Sequence, residues 1–221
     1  AQGWMRHFDD RLGLAHEELL TRQATAAPTL PARELLLADL PHHLIPRGTG
    51  DVPDPRFGFK VDVPPHLYNH GEIYNLAVTR GTLNAEDRYK INEHMIHGIM
   101  MLERMPFPKS LQRVPEYAGT HHETLIGTGY PRKLGEGELS VPMRIMAIAD
   151  IFEALTASDR PYKKAKTLSE CVKILSFFKK DGHIDPDLFD LFLTSGVYLR
   201  YAQQFLDPWQ IDEVNAQALL H

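Results

Sequence analysis

One stretch of this chain reads THHETLIGTGYP and spans residues 120–131. The adjacent His121 and His122 offer two imidazoles, and neutral imidazole is the commonest protein metal ligand. Gly127 and Gly129 tolerate positive φ and let another backbone or a ligand approach closely. A histidine pair alone is weak evidence for a metal, so the prediction depends on what lies on either side of it.

The stretch resembles the signature of the HD-GYP family, in which His-His-Glu precedes Gly-x-Gly-Tyr-Pro after a short spacer. The resemblance continues through DIFEALT at residues 150–156 and DRPYK at residues 159–163. It runs backward through LNAE at residues 83–86 to His94. The family implies an all-helical, metal-dependent phosphodiesterase domain that acts on cyclic di-GMP.

The resemblance implies a divalent-metal site made of His94, His121, His122 and Asp150. Asp150 shares a helix face with apolar residues, where a carboxylate needs a metal or a salt bridge as partner. His94 sits next to the apolar stripe of its own helix and is expected to face inward, so a core histidine is the alternative. Three imidazoles suit Fe, Mn, Ni or Zn.

The same resemblance predicts the substrate contacts. The glycine loop and its tyrosine would shape the pocket, and basic residues after the next helix would hold phosphates, as arginine does bidentately. For the basic residues, a solvated charge run is the alternative. The predicted contacts are Gly127, Gly129, Tyr130, Pro131, Arg160 and Lys163.

Several residues depart from the family pattern. Alignment on the family's Leu-His-Asp-x-Gly-Lys-Ile puts Tyr68 at its histidine, Asn69 at its metal-bridging aspartate and Glu72 at its lysine. An amide is neutral and offers one carbonyl oxygen, and a phenol with a pKa of about 10 is a poor ligand. Ile126 stands where the family usually has aspartate. His66 or His70, one or two positions away, is an alternative ligand that the sequence leaves open.

These departures favour a domain in cyclic di-GMP signalling whose phosphodiesterase activity is impaired or lost and whose role is binding or regulation. An active phosphodiesterase is the alternative, and a helical scaffold without a nucleotide role is a third. The expected partners are cyclic di-GMP or a related nucleotide, and a diguanylate cyclase (GGDEF) domain that docks on the exposed loop at residues 127–131.

The predicted architecture is an all-α, HD-domain-like helical bundle. Residues 1–40 are expected to form an N-terminal helical extension, with helices over 3–22 and 32–40. Residues 41–65 are rich in proline and glycine and predict a loop, linker or lid. Residues 66–221 would form the HD-GYP-like domain. The first helix carries His7, Asp9 and Asp10, either as ligands or as part of a polar face.

The composition is typical of a globular domain and argues against bulk nucleic-acid binding and membrane insertion. Hydrophobic residues make up 43% and charged residues 24%, as in ordinary globular domains. The formal net charge of −5 argues against bulk nucleic-acid binding. The single cysteine, Cys171, predicts a buried thiol and a reducing, cytoplasmic location. No apolar run reaches the 18 residues that membrane insertion needs. The chain starts without Met, and we expect it to be a fragment of a larger protein.

Overall fold

The computed structural model describes residues 2–22, 26, 29–158 and 165–220, and this part of the chain is predominantly helical. The all-helical fold class is therefore confirmed, with two small antiparallel sheets added near the N-terminus. One sheet pairs β1 (Gly3–Arg6) with β2 (Ala32–Leu35), and the other pairs β3 (Leu44–Pro46) with β4 (His66–Asn69). The α-helices are α1 (His16–Arg22), α2 (Glu72–Leu76), α3 (Ala85–Leu102), α4 (Val114–Ala118), α5 (Val141–Thr156), α6 (Leu168–Lys180), α7 (Pro186–Thr194) and α8 (Val197–Phe205).

The chain divides into two compact units. The first unit contains Ala1–Pro53 and Asp62–Glu93, and the second contains Asp54–Val61 and His94–His221. The division differs from the predicted boundaries, because a short piece of the proline-rich segment belongs with the second unit. Both small sheets lie in the first unit, and helices α4 to α8 lie in the second.

The N-terminal helices are the main correction to the predicted fold. Residues 3–22 are not one helix, because Gly3–Arg6 forms β1 and the helix begins only at His16. Residues 32–40 are not a helix either, because Ala32–Leu35 forms β2. Gly3 pairs with Leu35 and Arg6 with Ala32, and these ladder partners lie too far along the chain for a local periodicity to reveal them.

Asp9 and Asp10 of this N-terminal segment are paired with arginines of the first unit. The carboxylate of Asp9 accepts a hydrogen bond of 2.7 Å from Arg11 Nη2, and the guanidinium of Arg11 holds the pKa of Asp9 below its usual range. Asp10 Oδ2 lies 2.5 Å from Arg22 Nη1. Local ion pairs therefore account for both carboxylates.

The second unit is built around α5, which packs against α4, α6 and α7. Its helix ends follow the sequence closely. Thr167 and Glu170 form a capping box at the start of α6, and Asp185 caps α7 by accepting from the N–H groups of Asp187 and Leu188. Cys171 is fully buried, as predicted. The apolar core contains Ile148, Phe152, Leu168, Cys171, Val172, Leu175, Ile184, Phe189, Leu193 and Ala202.

Among the described residues, no helix combines the length and the apolar character that crossing a bilayer requires.

Candidate metal centre

Helix α3 carries the first histidine of the site. Its start is fixed by Asn84, whose Oδ1 accepts a hydrogen bond of 2.8 Å from the N–H of Asp87, as expected of an N-cap. Met95, Ile96 and Ile99 form its buried stripe. The prediction that His94 faces the interior is wrong, because the residue is exposed on the edge of that stripe.

The second and third histidines stand on the turn that follows α4. Thr120 is buried and fixes this turn, because its hydroxyl reaches the carbonyl oxygens of Glu116 and Tyr117 at 3.2 and 3.1 Å. His121 Nδ1 lies 2.7 Å from the carbonyl oxygen of Ala118. Because that nitrogen carries the proton of the hydrogen bond, Nε2 of His121 keeps its lone pair for a metal.

The structure brings three predicted ligands together, which we call the His cluster: His94, His121 and His122. One ligand atom from each lies within 4.8 Å of the others. The ring of His122 is 5.2 Å from that of His94 and 4.4 Å from that of His121, measured between centroids. Asp150 on α5 lies close by, with Oδ2 at 3.9 Å from His122 Nδ1, which is too long for a hydrogen bond.

The donor set of the His cluster fits a divalent metal. Burial, together with the neighbouring His121, lowers the pKa of His122 to about 4, so its imidazole is neutral at neutral pH. A neutral imidazole is the form that binds metal. Three imidazole nitrogens with one carboxylate match the nitrogen-rich sites of Fe, Mn, Ni or Zn. The metal role of these four residues stays a prediction.

Tyr130 covers one side of the cluster. Its ring stacks on the imidazole of His122, with 4.8 Å between centroids and 24° between planes. Burial, together with the nearby carboxylate of Asp150, raises the pKa of Tyr130 to about 12. The phenol is therefore a neutral hydroxyl, which donates a hydrogen bond.

The glycine loop approaches the histidines so closely that only glycine fits at one position. A Cβ on Gly129 would lie 2.5 Å from both the Cα of Glu123 and the carbonyl oxygen of His122. The N–H of Tyr130 donates to that same carbonyl oxygen at 3.2 Å. Glycine at position 129 therefore allows the close approach that stacks Tyr130 on His122.

Glu123 has a role that the sequence analysis did not assign. Its side chain is 1% exposed, and its two oxygens accept hydrogen bonds from the backbone N–H groups of Arg132 at 2.7 Å and Leu134 at 2.9 Å. Burial raises the pKa of this carboxyl. Glu123 thus fastens the end of the glycine loop to the turn that bears the histidines. No periodicity or motif spacing reveals a contact of this kind.

The residues that depart from the family's Leu-His-Asp-x-Gly-Lys-Ile have local structural contacts in the first unit. Asn69 ends β4, and its Oδ1 accepts a hydrogen bond of 2.9 Å from the N–H of Gly71. Glu72 begins α2 and accepts from the N–H of Ala38 at 2.8 Å. Tyr68 lies in β4, opposite Ile45. The loss of a metal-bridging carboxylate at this point stays a prediction.

Other predicted contacts need correction or lie outside the structure. The loop at residues 127–131 is less exposed than expected, because Gly129 and Pro131 are buried and Tyr130 is half-buried. The exposed residues of this region are Ile126 and Thr128. Arg160 and Lys163 lie outside the described residues.

Comparison with known proteins finds sequence relatives that are named as cyclic-dinucleotide phosphodiesterases. A family profile described as HD domain matches residues 47–188. The chain is 30% identical over 214 residues to a 3'3'-cGAMP-specific phosphodiesterase of Vibrio cholerae, covering 90% of this chain and 45% of that protein. It is 41% identical over 93 residues to a cyclic di-GMP phosphodiesterase of Thermotoga maritima, covering 42% of this chain and 25% of that protein. The chain therefore spans less than half the length of these curated relatives.

Proposed function

The chain belongs to the HD domain family, in its HD-GYP-like branch, and from this membership we propose that it binds a cyclic dinucleotide at a metal held by the His cluster. We propose further that its phosphodiesterase activity is impaired, so that binding in cyclic-dinucleotide signalling is its main role. A cytoplasmic location stays a prediction from the single cysteine.

The convergence of three imidazoles carries this proposal. His94 comes from α3, and His121 and His122 come from the turn after α4, yet one ligand atom of each lies within 4.8 Å of the others. Side chains from separate elements do not need to meet in this way to stabilise a helical core. The stacking of Tyr130 on His122 places an aromatic hydroxyl beside the same nitrogens.

Different residues of the site would bind the cation and the phosphodiester. His94, His121 and His122 would hold the cation, with Asp150 as the nearby carboxylate. A bound divalent cation supplies Lewis acidity toward a phosphodiester oxygen. Tyr130 offers a neutral O–H donor to the ligand, because its phenol stays protonated. The half-buried His122 and Tyr130 limit the access of water on their side.

The charge of the donor set supports impaired hydrolysis. Asp150 is the only carboxylate among the four predicted ligands. Two close divalent cations repel strongly unless anionic ligands bridge them. Asn69, at the position aligned with the bridging aspartate, carries no charge, and its side chain oxygen accepts from Gly71. A single cation therefore suits the site better than two.

An active phosphodiesterase is the second candidate. It is favoured by the Vibrio cholerae relative, which is named a 3'3'-cGAMP-specific phosphodiesterase and is 30% identical over 90% of this chain. In this candidate, the second cation is held with ligands other than the four predicted here.

Metal content and turnover separate the two candidates. The protein is purified without chelator, its metal content per chain is measured, and hydrolysis of cyclic di-GMP and 3'3'-cGAMP is assayed with added Mn²⁺ or Fe²⁺. Binding of both nucleotides is measured on the same sample. One metal, binding and no turnover support the first candidate, and two metals with turnover support the second. A chain that binds neither nucleotide contradicts both.

The proposed diguanylate cyclase partner would dock beside the glycine loop. Ile126 is 61% exposed there and is the apolar residue that a partner would cover. We expect Ile126→Glu to abolish binding to a GGDEF domain while nucleotide binding persists. If the loop itself is the contact, we expect Tyr130→Ala to abolish binding to the GGDEF domain as well. Retained binding in both variants contradicts a contact at the loop.

A further inference from the structure

We propose that Lys60 and Lys133 form a phosphate-binding pair beside the glycine loop, which takes up the anionic phosphates of a cyclic dinucleotide. This inference rests on the proposed function and adds two substrate contacts to it.

Lys133 adopts a backbone conformation that is unfavourable for a lysine. Its φ is +54°, in the left-handed region, and it is the only residue other than glycine in the described part of the chain with positive φ. Glycine takes this conformation without a steric cost, whereas a side chain brings Cβ close to the following carbonyl. A lysine at this position therefore suggests that its charged side chain, which glycine lacks, has a function.

The neighbours of Lys133 hold it in this conformation. Glu123 accepts hydrogen bonds from the N–H groups of Arg132 and Leu134, one on each side of Lys133. Lys133 is thus the apex of a turn fastened around a buried carboxylate, and its own side chain is exposed. Strain that surrounding contacts maintain in this way often marks a functional position.

Lys60 is attached to the same loop from a separate part of the chain. Its backbone N–H donates to the carbonyl oxygen of Pro131 at 2.7 Å. The segment is held a second time, because Arg132 Nε donates to the carbonyl oxygen of Phe57 at 3.0 Å. The side chain of Lys60 is exposed. Lys60 is therefore fixed beside a residue that lies two positions before Lys133.

Three carboxylates of this unit, those of Glu103, Asp54 and Glu123, have other partners. Glu103 lies 3.3 Å from Arg132 Nη2, and Asp54 lies 2.6 Å from Arg56 Nη2. Both oxygens of Glu123 accept backbone N–H groups. Within the described ranges, no carboxylate lies at ion-pair distance from the ammonium of Lys60 or Lys133. Two uncompensated cations beside one loop create a positive potential that attracts an anion.

Only a short stretch of backbone separates the lysine pair from Tyr130, which stacks on the His cluster. Tyr130 stacks on His122 and directly precedes Pro131, which accepts the hydrogen bond from Lys60. Consecutive Cα atoms are about 3.8 Å apart, so Lys133 lies at most about 11 Å from Tyr130 along the backbone. A ligand with two phosphates can therefore place one at the His cluster and the other at the lysines.

The test compares binding with stability in matched variants of the whole chain. Lys133→Asn removes the charge but tolerates the left-handed backbone, Lys133→Gly removes the strain, and Lys133→Arg keeps the charge. Lys60→Gln tests the second cation. Lys173→Gln, at an exposed position on α6, is the control. Affinities for cyclic di-GMP and 3'3'-cGAMP are measured by calorimetry, and Tm is measured for each variant.

We expect Lys133→Asn, Lys133→Gly and Lys60→Gln each to weaken dinucleotide binding about tenfold, the size of one charge-assisted contact. We expect Lys133→Arg and the control to bind within about threefold of the original chain, and the Tm of the glycine and asparagine variants to be unchanged or higher. The salt dependence of binding should be shallower in Lys60→Gln, which provides a second readout if a variant at position 133 folds poorly.

The outcomes separate this inference from the proposed function. If the original chain binds neither dinucleotide, the proposed function is wrong and the pair has no ligand of this class. If the original chain binds and the Lys133 and Lys60 variants bind equally well, the lysine pair is wrong while the proposed function stands. Loss of binding with unchanged Tm supports both.

Discussion

The phenol ring of Tyr130 lies 4.8 Å from the imidazole ring of His122, nearly parallel to it. This contact joins the glycine loop to the His cluster, because the backbone N–H of Tyr130 also donates to the carbonyl oxygen of His122. The ring therefore fixes the orientation of one predicted ligand. Groups that orient a metal ligand contribute to metal affinity even though they do not touch the metal.

The first prediction concerns this stacked ring. Tyr130→Phe keeps the ring and loses the hydroxyl, whereas Tyr130→Ala loses both. We expect the alanine variant to bind Zn²⁺ or Mn²⁺ at least about tenfold more weakly, and the phenylalanine variant to bind it nearly normally. Isothermal titration of metal-free protein measures this. Equal metal affinities in all three proteins would show that the ring does not orient His122.

The second prediction concerns the buried carboxylate of Glu123. In Glu123→Gln one oxygen is replaced by an NH₂ group, which cannot accept from the N–H of Arg132 or Leu134. A buried N–H left without an acceptor costs about 1–3 kcal/mol. We expect a loss of Tm of about 2–4 °C for each kcal/mol. Thermal unfolding followed by circular dichroism measures it, with Glu138→Gln at an exposed position as control.

The third prediction concerns pH and the ion pair of Asp185 with Arg144. Arg144 Nη1 donates to Asp185 Oδ2 at 2.9 Å. Burial alone would raise the pKa of Asp185, but the N–H groups of Leu188 and Asp187 and the guanidinium of Arg144 hold this pKa below its usual range. The folded state then binds fewer protons than the unfolded state around the usual pKa of 3.8, so this stabilisation is present above that pH and is lost as pH falls through the lowered pKa.

We therefore expect Asp185→Asn, which keeps the helix cap, to lower the free energy of unfolding at pH 7 by about 1.5–3 kcal/mol. The difference from the original chain should shrink as pH falls below 3.8. Urea unfolding at a series of pH values measures this, and Asp187→Asn in the same helical turn is the control. A difference that stays constant down to the lowest accessible pH would exclude the ion pair as its cause.

The fourth prediction concerns Arg132, which attaches residues 54–61 to the glycine loop. Its side chain donates to the carbonyl oxygen of Phe57, pairs with Glu103 and lies over the ring of Phe59. We expect Arg132→Ala to loosen the segment without unfolding the core, since the Arg132 side chain is itself partly exposed. Trypsin should then cut after Arg56 or Lys60 several times faster.

The control for this experiment is Arg113→Ala, which removes an exposed pair with Glu116 on α4. An unchanged cleavage rate after Arg56 and Lys60 in Arg132→Ala would mean that other contacts hold the segment.

The second unit was easier to predict from the sequence than the first. Helix α6 begins and ends where the Thr167 capping box and Asp181-Gly182 predict, because these signals are local. The strand β1 was predicted as a helix, because its partner β2 lies about 30 residues away and no local pattern reports that pairing.

The candidate site shows the same limit. The family resemblance predicts His94, His121, His122 and Asp150 as ligands, and the three histidines lie together in the structure, although the metal role of all four stays a prediction. The exposure of His94 was misjudged, since helical periodicity does not say how neighbouring elements cover a helix edge. The contact of Glu123 with two amides was missed, because it depends on the path of a loop.

The hydrogen bond from Lys60 to Pro131 has a consequence for dissecting this protein. Residues 54–61 belong with His94–His221, although the chain on both sides of them belongs to the other unit. The unit that carries the His cluster is therefore not a continuous piece of sequence. A fragment that starts at His94, or a chimera that exchanges everything after Glu93, separates the loop from a segment that it holds in the intact chain. Truncation experiments on this protein would then report the loss of that segment together with the loss of the first unit.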